Sequence, residues 1–541
     1  FDRLPAGRVI VDDATVVYRD LKAGRAPLEL TDLDVQLRRD RDFVVLEGNT
    51  NLPGELGTHA DFNARLKGTL DEREHLDARV EIDADTVRLA GLKDFLPPQV
   101  ALPLAGSGHL RGVFALEQGN VSSVRLGFEL RDVALQLPRR AVPPIEAVRI
   151  SDPRLELAPG NRVKFPTVTK EMVAREPLPL PVQARYRVLE GDARLRRESD
   201  AWVFRIQDLR AQPGTSREAD KTQVWGRWQG KPVTRFGLEL NVDALDLTSI
   251  WPLVLAFAPT SFDRLAGLAP RGRVETLRAS VQRERAGILP TFTVQANLVN
   301  VGVQPIGRFP GLSGVSLKLD GNDQRGKLEL RADQPVFEWP RMFRQPLELL
   351  RVTADGGWRR EGAVWIAGVK GAQVLHRQGR AQVDVEFSFE KPGVSPILTL
   401  IAEVPRVDVA LVPQVVPVGR LRERTIAWLD RAFVRGTATN GRLSYRGPVR
   451  KFPFRGGEGD FTASADATNV TLDYYPGFAP LVNASGTARF HNASIAADVA
   501  GGELGGLKLS QASFLMADYK AQILEIDGKA GGDLQRALEY V

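Results

Sequence analysis

The chain has 541 residues, 43% of them hydrophobic and 26% charged, a composition that folds and that excludes general disorder. Its 73 basic residues exceed the 67 acidic ones by only 6, with no Lys/Arg block of the kind that tracks a phosphate backbone, which argues against nucleic-acid binding. It contains no cysteine, so disulfides, thiolate catalysis and sulfur-ligated zinc are excluded.

At this length the alternatives are roughly three or four globular domains or a repeat array. The chain begins at Phe1 rather than Met and shows no signal-peptide pattern, and so reads as a piece of something longer. The longest uncharged apolar stretch, Leu247 to Phe262, is shorter than the ~20 residues a spanning helix needs and is interrupted by Pro252 and Pro259. No transmembrane segment is expected.

In chain order, one figure recurs. Val124, Leu126, Phe128 and Leu130 alternate with Arg125, Gly127, Glu129 and Arg131, the period of two that marks a strand with one buried face. The apolar series then steps over Arg131-Asp132 to Val133, Leu135 and Leu137. Phe236, Leu238, Leu240 and Val242 step likewise over Asp243-Ala244, and Leu398, Leu400, Ala402 and Val404 over Pro405-Arg406. Further copies run Leu30 to Leu33, Ala84 to Val87, Leu298 to Val301, Leu349 to Val352 and Ala467 to Val470, with a weak one at Val188 to Gly191. The breaks begin at 31, 85, 131, 189, 243, 299, 350, 405 and 468, a period of about 55 residues and so a repeat architecture. Each break is a tight hairpin or a β-bulge, since both return the next apolar residue to the same face. None contains the glycine that two-residue hairpins favour, so a bulge is expected.

Proline-rich apolar stretches follow most breaks: Phe95 to Pro98, Pro138 to Pro144, Trp251 to Pro259, Phe309 to Leu312, Val412 to Pro417 and Tyr474 to Pro480. They read as crossovers to the next repeat, because proline stops strand pairing. The clearest amphipathic helix spans Arg420 to Arg435, with Leu421, Thr425, Trp428, Leu429, Ala432 and Phe433 on one face. The expected organisation is a β-repeat array over 1–418, a helix over 419–436 and continuing repeats over 437–541. The fold class is mainly β, with about nine antiparallel repeats of ~55 residues and few short helices.

Alternation leaves an apolar face that must be covered. Either the faces pack on each other, as in a sandwich or closed solenoid, or they form an open groove that holds acyl chains. The candidate lining residues are Leu126, Phe128, Leu130, Leu238, Leu240, Val242, Val294, Leu298, Leu400 and Val404.

The residues offer little for catalysis. His59, His75, His109, His376 and His491 are scattered without metal-ligand spacing. Gly321 to Lys327 resembles a phosphate-binding loop, but Leu328 replaces the Ser/Thr that would hold magnesium, and the flanking alternation reads as a hairpin turn. Gly501 to Gly506 fails the spacing of a dinucleotide fingerprint and reads as a turn. No catalytic, cofactor-binding or metal residue is assigned, and no cofactor is expected.

Trp428-Leu429-Asp430 with Ala432-Phe433, then Gly436, Gly441, Tyr445-Arg446-Gly447, Phe452-Pro453-Phe454 and the Tyr474 to Phe478 segment resemble the YhdP group of AsmA-like envelope proteins, within the wider class of repeating β-groove, bridge-like lipid-transfer proteins. The resemblance implies a curved, taco-like rod with an apolar inner groove, forming the periplasmic body of a Gram-negative protein anchored in the inner membrane. It further implies carriage of phospholipid acyl chains between inner and outer membranes, which the protein would contact through parts outside this chain. The alternative is an envelope scaffold or outer-membrane protein assembly factor that binds protein partners through sheet edges. Residue by residue, Trp428 and Phe433 are expected to bury the helix against the sheet and Phe452-Pro453-Phe454 to fix a turn, with Leu429, Tyr445, Arg446 and Gly447 as further structural members of the signature.

Overall fold

The computed structural model describes residues 7–532 apart from 20–26, 41–42, 69–74, 96–101, 138–141, 151–155, 159–161, 165–168, 178, 182, 215–219, 232–233, 258–262, 287–288, 391–392, 475–476 and 520–522. The fold is mainly β, antiparallel and not closed on itself, in two compact units, Phe1–Val142 with Pro179–Val299, and Pro143–Leu178 with Asn300–Val541.

In the first unit the strands Arg8–Tyr18, Leu28–Asp40, Phe43–Asn51, His59–Lys67, Asp77–Arg88, Leu102–Glu117 and Asn120–Gln136 each pair antiparallel with the one before. Asn120–Gln136 then pairs directly with Gln183–Glu198, so the ladder passes over the excursion that belongs to the second unit. Ala201–Pro213, Thr222–Gly230, Phe236–Asp246 and Arg271–Arg283 continue it. The second unit repeats the arrangement from Gly311–Asn322 to Glu525–Gly531.

All the predicted breaks except Leu350 lie inside strands, so they are not hairpins, and bulges mark most of them. Pairing registers shift beside Thr31, Ala84 and Ala467, and Asp32, Asp132, Ala244, Asn300 and Asn469 take φ between 49° and 57°. Four of these five are Asp or Asn, the non-glycine residues that best tolerate left-handed backbone, and the extra residue returns the apolar series to its face. Leu350 instead separates the short strand Leu347–Glu348 from Arg351–Glu361. The loop at Gly321 to Lys327 is a hairpin turn: Asn322 Oδ1 accepts from the Gln324 and Arg325 amides at 2.8 and 3.0 Å, which occupies the N–H groups a phosphate would need. Gly505 and Gly506, with φ of 59° and 81°, join paired Leu504 and Leu507 in a two-residue turn.

The proline-rich connections are more helical than expected. Leu89–Phe95 is a 3-10 helix, and Leu247–Phe257 is an α-helix with Pro252 inside it. Val412–Val415 is a helical turn whose Pro413 sits in the first turn, where its missing N–H costs nothing. Parts of the predicted crossovers, at 96–98, 138–141, 258–259 and 475–476, lie outside the described residues.

Each unit has a core at the bulge end of its strands. In the first, Val133, Leu135, Ala184, Tyr186 and Ala211 enclose Ala256 of the Leu247–Phe257 helix. Asp246 caps that helix by accepting from the Ser249 amide at 2.7 Å, and the buried Tyr186 hydroxyl donates to the Ser249 carbonyl at 2.8 Å. In the second, Val409, Val470, Leu481, Ala484 and Leu509 pack together.

The amphipathic helix is Glu423–Ala432, shorter than the predicted span because Phe433 already pairs with Leu472 as strand. Its buried residues are Ile426, Leu429 and Ala432. Ile426 and Val418 pack on Val148 from the excursion, whose strands Ile145–Ile150 and Lys170–Arg175 form a ribbon. Glu146 bridges Arg308 at 2.7 Å and Arg341 at 2.8 Å, and the Lys170 ammonium donates to the carbonyls of Gly419 and Leu421.

Candidate functional site

Residues directly opposite across a ladder share a face, so the pairing registers show what each face carries. In the first unit one line of partners reads Val11, Val35, Gly48, Phe62, Ile82, Gly112, Leu126, Ala193, Ile206, Val224, Val242 and Leu277. The parallel line reads Val9, Leu37, Leu46, Ala64, Val80, Phe114, Val124, Leu195, Phe204, Gly226, Leu240 and Ala279. No polar side chain interrupts either line. The opposite face carries Gln36, Glu47, Asn63, Glu81, Val113, Arg125, Arg194 and Arg205 in one line, polar apart from Val113 and laced by ion pairs such as Arg79 with Glu81 and Arg194 with Asp192, each at 2.7 Å.

The apolar lines are not a filled interior. No residue of either line belongs to the core cluster, most are half-buried, and Val9, Val11, Ile82 and Phe114 are 38 to 49% exposed. A core residue such as Val133 is 1% exposed. The second unit carries comparable lines, among them Leu319, Leu328, Gly356, Val369, Val385, Leu400, Tyr445 and Phe461. Ala372, Val383, Ala402, Leu443, Ala463, Phe490, Ile495 and Met516 form another.

The predicted lining residues fall as follows. Leu126, Leu240, Val242 and Leu400 sit in the apolar lines, with Val242 buried at its bulge end. Leu238 lies opposite Trp228, and Val404 opposite Gly441. Phe128 shares the face of Leu126 but packs against the core cluster, and Leu130 belongs to that cluster at 7% exposure. Val294 and Leu298 are half-buried and flank the buried Ala296 on one face of Thr291–Val303.

Glycines and aromatics complete these lines, and apolar alternation passed over the glycines. Gly48 and Gly226 leave room for the rings of Phe62 and Phe204, which lie 2.8 and 2.7 Å from where a Cβ would stand. Gly326 lies likewise beneath the Trp358 indole. The readable signal is an aromatic residue cross-strand from a glycine.

The signature residues gather into two clusters. Trp428 meets Phe433 edge to face at 5.6 Å and donates its indole N–H to the Tyr474 carbonyl at 3.0 Å. Leu429 is buried beneath the same helix. Tyr445, Phe452, Phe454 and Phe461 form an aromatic knot with centroids 5.1 to 6.2 Å apart. Phe454 is 2% exposed, and its ring stands 2.8 Å from where a Cβ on Gly447 would be; Gly447 has φ of 155°. The Phe452-Pro453 peptide is cis, and Arg446 is exposed on the strand's other face. Tyr445 joins the knot to the apolar line, and burial raises its hydroxyl above the ordinary range.

Among the described residues no group of three or more His, Cys, Asp or Glu is placed to hold a metal, and no helix is long and apolar enough to cross a membrane. What the geometry defines is an unclosed, repeating antiparallel β protein whose strands, in each unit, present an incompletely covered apolar face. The family model described as YhdP protein matches residues 174–541, and the chain belongs to that family. It is 24% identical over 359 residues to the intermembrane phospholipid transporter YhdP of Escherichia coli (strain K12). That match covers 63% of this chain and 27% of the relative, so the chain spans about a quarter of the relative's length.

Proposed function

We propose that this chain is a length of a phospholipid track in the periplasm, on which acyl chains lie along the apolar face while lipid passes between inner and outer membranes. The observation that carries the reading is the pair of twelve-residue apolar lines in the first unit, uninterrupted by any polar side chain and left half-exposed. Such a face in water is unfavourable by about 25 cal/mol per Å² of apolar surface, and an acyl chain laid across it removes that surface from water. Neighbouring strands lie about 4.8 Å apart and offer near-equivalent contacts, so a chain shifted by one strand loses as much as it gains. Repeated shallow contacts of this kind let a lipid slide where a single deep pocket would hold it. The reading assigns no catalytic residue, and agrees with the activity in the relative's name.

Photo-crosslinking residues at Phe128, Leu240, Leu298 and Val404 test it, with Arg125 and Glu239 on the opposite face as controls. Phospholipid adducts at the four positions and none at the controls are expected. Absence of adducts at all four overturns the track and favours a scaffold that works through its sheet edges.

A further inference from the structure

The tips of two hairpins repeat a motif. Arg196-Arg197-Glu198 is followed by Trp202, and Arg359-Arg360-Glu361 by Trp365, with identical internal spacing and the tryptophans 163 residues apart, close to three periods of about 55. In both copies the first arginine is bound on the polar face by the glutamate two residues on, Arg196 by Glu198 and Arg359 by Glu361, the latter at 2.8 Å. That parity turns the second arginine to the apolar side. Arg197 lies opposite Trp202, which lies opposite Trp228; Arg360 lies opposite Trp365, which lies opposite Phe389. The Trp202 and Trp228 rings stack with centroids 6.1 Å apart, and Phe387 and Phe389 stack at 5.9 Å.

Each unit therefore ends an apolar line with an arginine and two aromatic rings at the hairpin rim. Among the described residues neither Arg197 nor Arg360 has a carboxylate partner; Arg360 Nε donates to the Gly362 carbonyl at 2.9 Å. A guanidinium on the apolar side of a sheet, kept apart from the carboxylate its neighbour takes, is matched in charge and planar geometry to a phosphate. Indoles favour the boundary between an apolar layer and a polar one.

We propose that Arg197 with Trp202 and Trp228, and in the other unit Arg360 with Trp365 and Phe389, form two copies of a subsite for the phosphodiester headgroup of a lipid whose acyl chains lie on the adjoining apolar lines. The proposal rests on the lipid-track reading and adds the headgroup to it. The arginine holds the phosphate at the wet rim, and the rings carry the glycerol and the first methylenes inward.

The test is calorimetric titration of the full chain with dioctanoyl phosphatidylglycerol below its micelle concentration, with dioctanoylglycerol, which has the same chains and no phosphate, and with inorganic phosphate. Arg197→Gln with Arg360→Gln should weaken phosphatidylglycerol about tenfold or more and leave dioctanoylglycerol unchanged. Arg196→Gln with Arg359→Gln, on the polar face, should change neither by more than about twofold. Equal loss of both lipids would assign the arginines a structural role, unchanged phosphatidylglycerol binding would remove the subsite, and displacement by millimolar phosphate would make it a free-anion site; each overturns the proposal. If the parent chain binds neither lipid, the track reading falls with it. If it binds both and the arginines do not discriminate, only the subsite falls.

Discussion

Placing a carboxylate at Leu240 distinguishes an apolar face that lipid occupies from one that is simply core. Leu240 is half-buried in the second apolar line, between Gly226 and Ala279. Full burial of a leucine is worth about 1.5 to 3 kcal/mol, so Leu240→Asp forfeits roughly 1 kcal/mol of folding stability, with water still able to reach the new charge. Val133 is the contrast, at 1% exposure inside the core cluster. There Val133→Asp loses the valine's burial and strands a charge without a partner, at a cost of several kcal/mol, comparable with the whole stability of a domain. An acyl chain crossing Leu240→Asp must desolvate the carboxylate. At about 1.4 kcal/mol per tenfold, a cost of even 3 kcal/mol lowers occupancy roughly a hundredfold. Urea unfolding followed by circular dichroism should show Leu240→Asp folded and Val133→Asp not, while lipid adducts from a crosslinking residue at Phe204, in the same line, should fall sharply in Leu240→Asp. Unfolding of Leu240→Asp alongside Val133→Asp would show the face to be core, and undiminished adducts at Phe204 would show that lipid does not lie along this line.

Other consequences are local. Ile426 is fully buried between Val148 and Val418, so Ile426→Ala should cost about 2 to 5 kcal/mol in urea unfolding and Ile426→Val about 0.5 to 1.5, and a loss under 1 kcal/mol for alanine would contradict the packing. A methyl on Gly326 would stand 2.1 Å from the Trp358 ring, whose N–H donates to the Asn322 carbonyl at 2.8 Å. Gly326→Ala should therefore destabilise by about 1 to 3 kcal/mol, and a double-mutant cycle with Trp358→Val should show strong coupling; additive effects would refute the close approach. The Arg308 hydrogen bond holds the Glu146 carboxyl below its usual range. A depressed folded pKa gives stabilisation that is present above the unfolded value near ~4.3 and is lost as pH falls through the lower folded value. Hydrogen exchange in Ile145–Ile150 should accordingly quicken in that acid range in the parent and not change there in Glu146→Gln; identical pH profiles would remove Glu146 as the cause.

Much of the fold was legible because its signals are local. Strand alternation depends on the two-residue period of the backbone, and most bulges on one extra residue at a site where Asp or Asn takes positive φ. The helix near Trp428 was legible from its period, yet its end was not, since pairing of Phe433 with Leu472 decides where helix gives way to strand. The helix Leu247–Phe257 was missed for a similar reason: Pro252 weighs against a helix locally, and packing of Ile250, Leu253 and Ala256 against Tyr186 and its neighbours outweighs it.

Sequence by itself determined that this chain is a β array of about 55-residue repeats with one apolar side, because side-chain period and turn chemistry are properties of consecutive residues. Tertiary structure alone decided what that side is. The registers align apolar residues from strands far apart in the chain into unbroken lines, and put glycines beneath aromatic rings. They also divide one face into a helix-capped core around Val133 and an uncovered stretch around Leu240. Register depends on which strands meet and with what offset, and the residues that pair there, such as Leu126 with Ala193 or Leu400 with Tyr445, are distant in the chain and bear no local mark of each other.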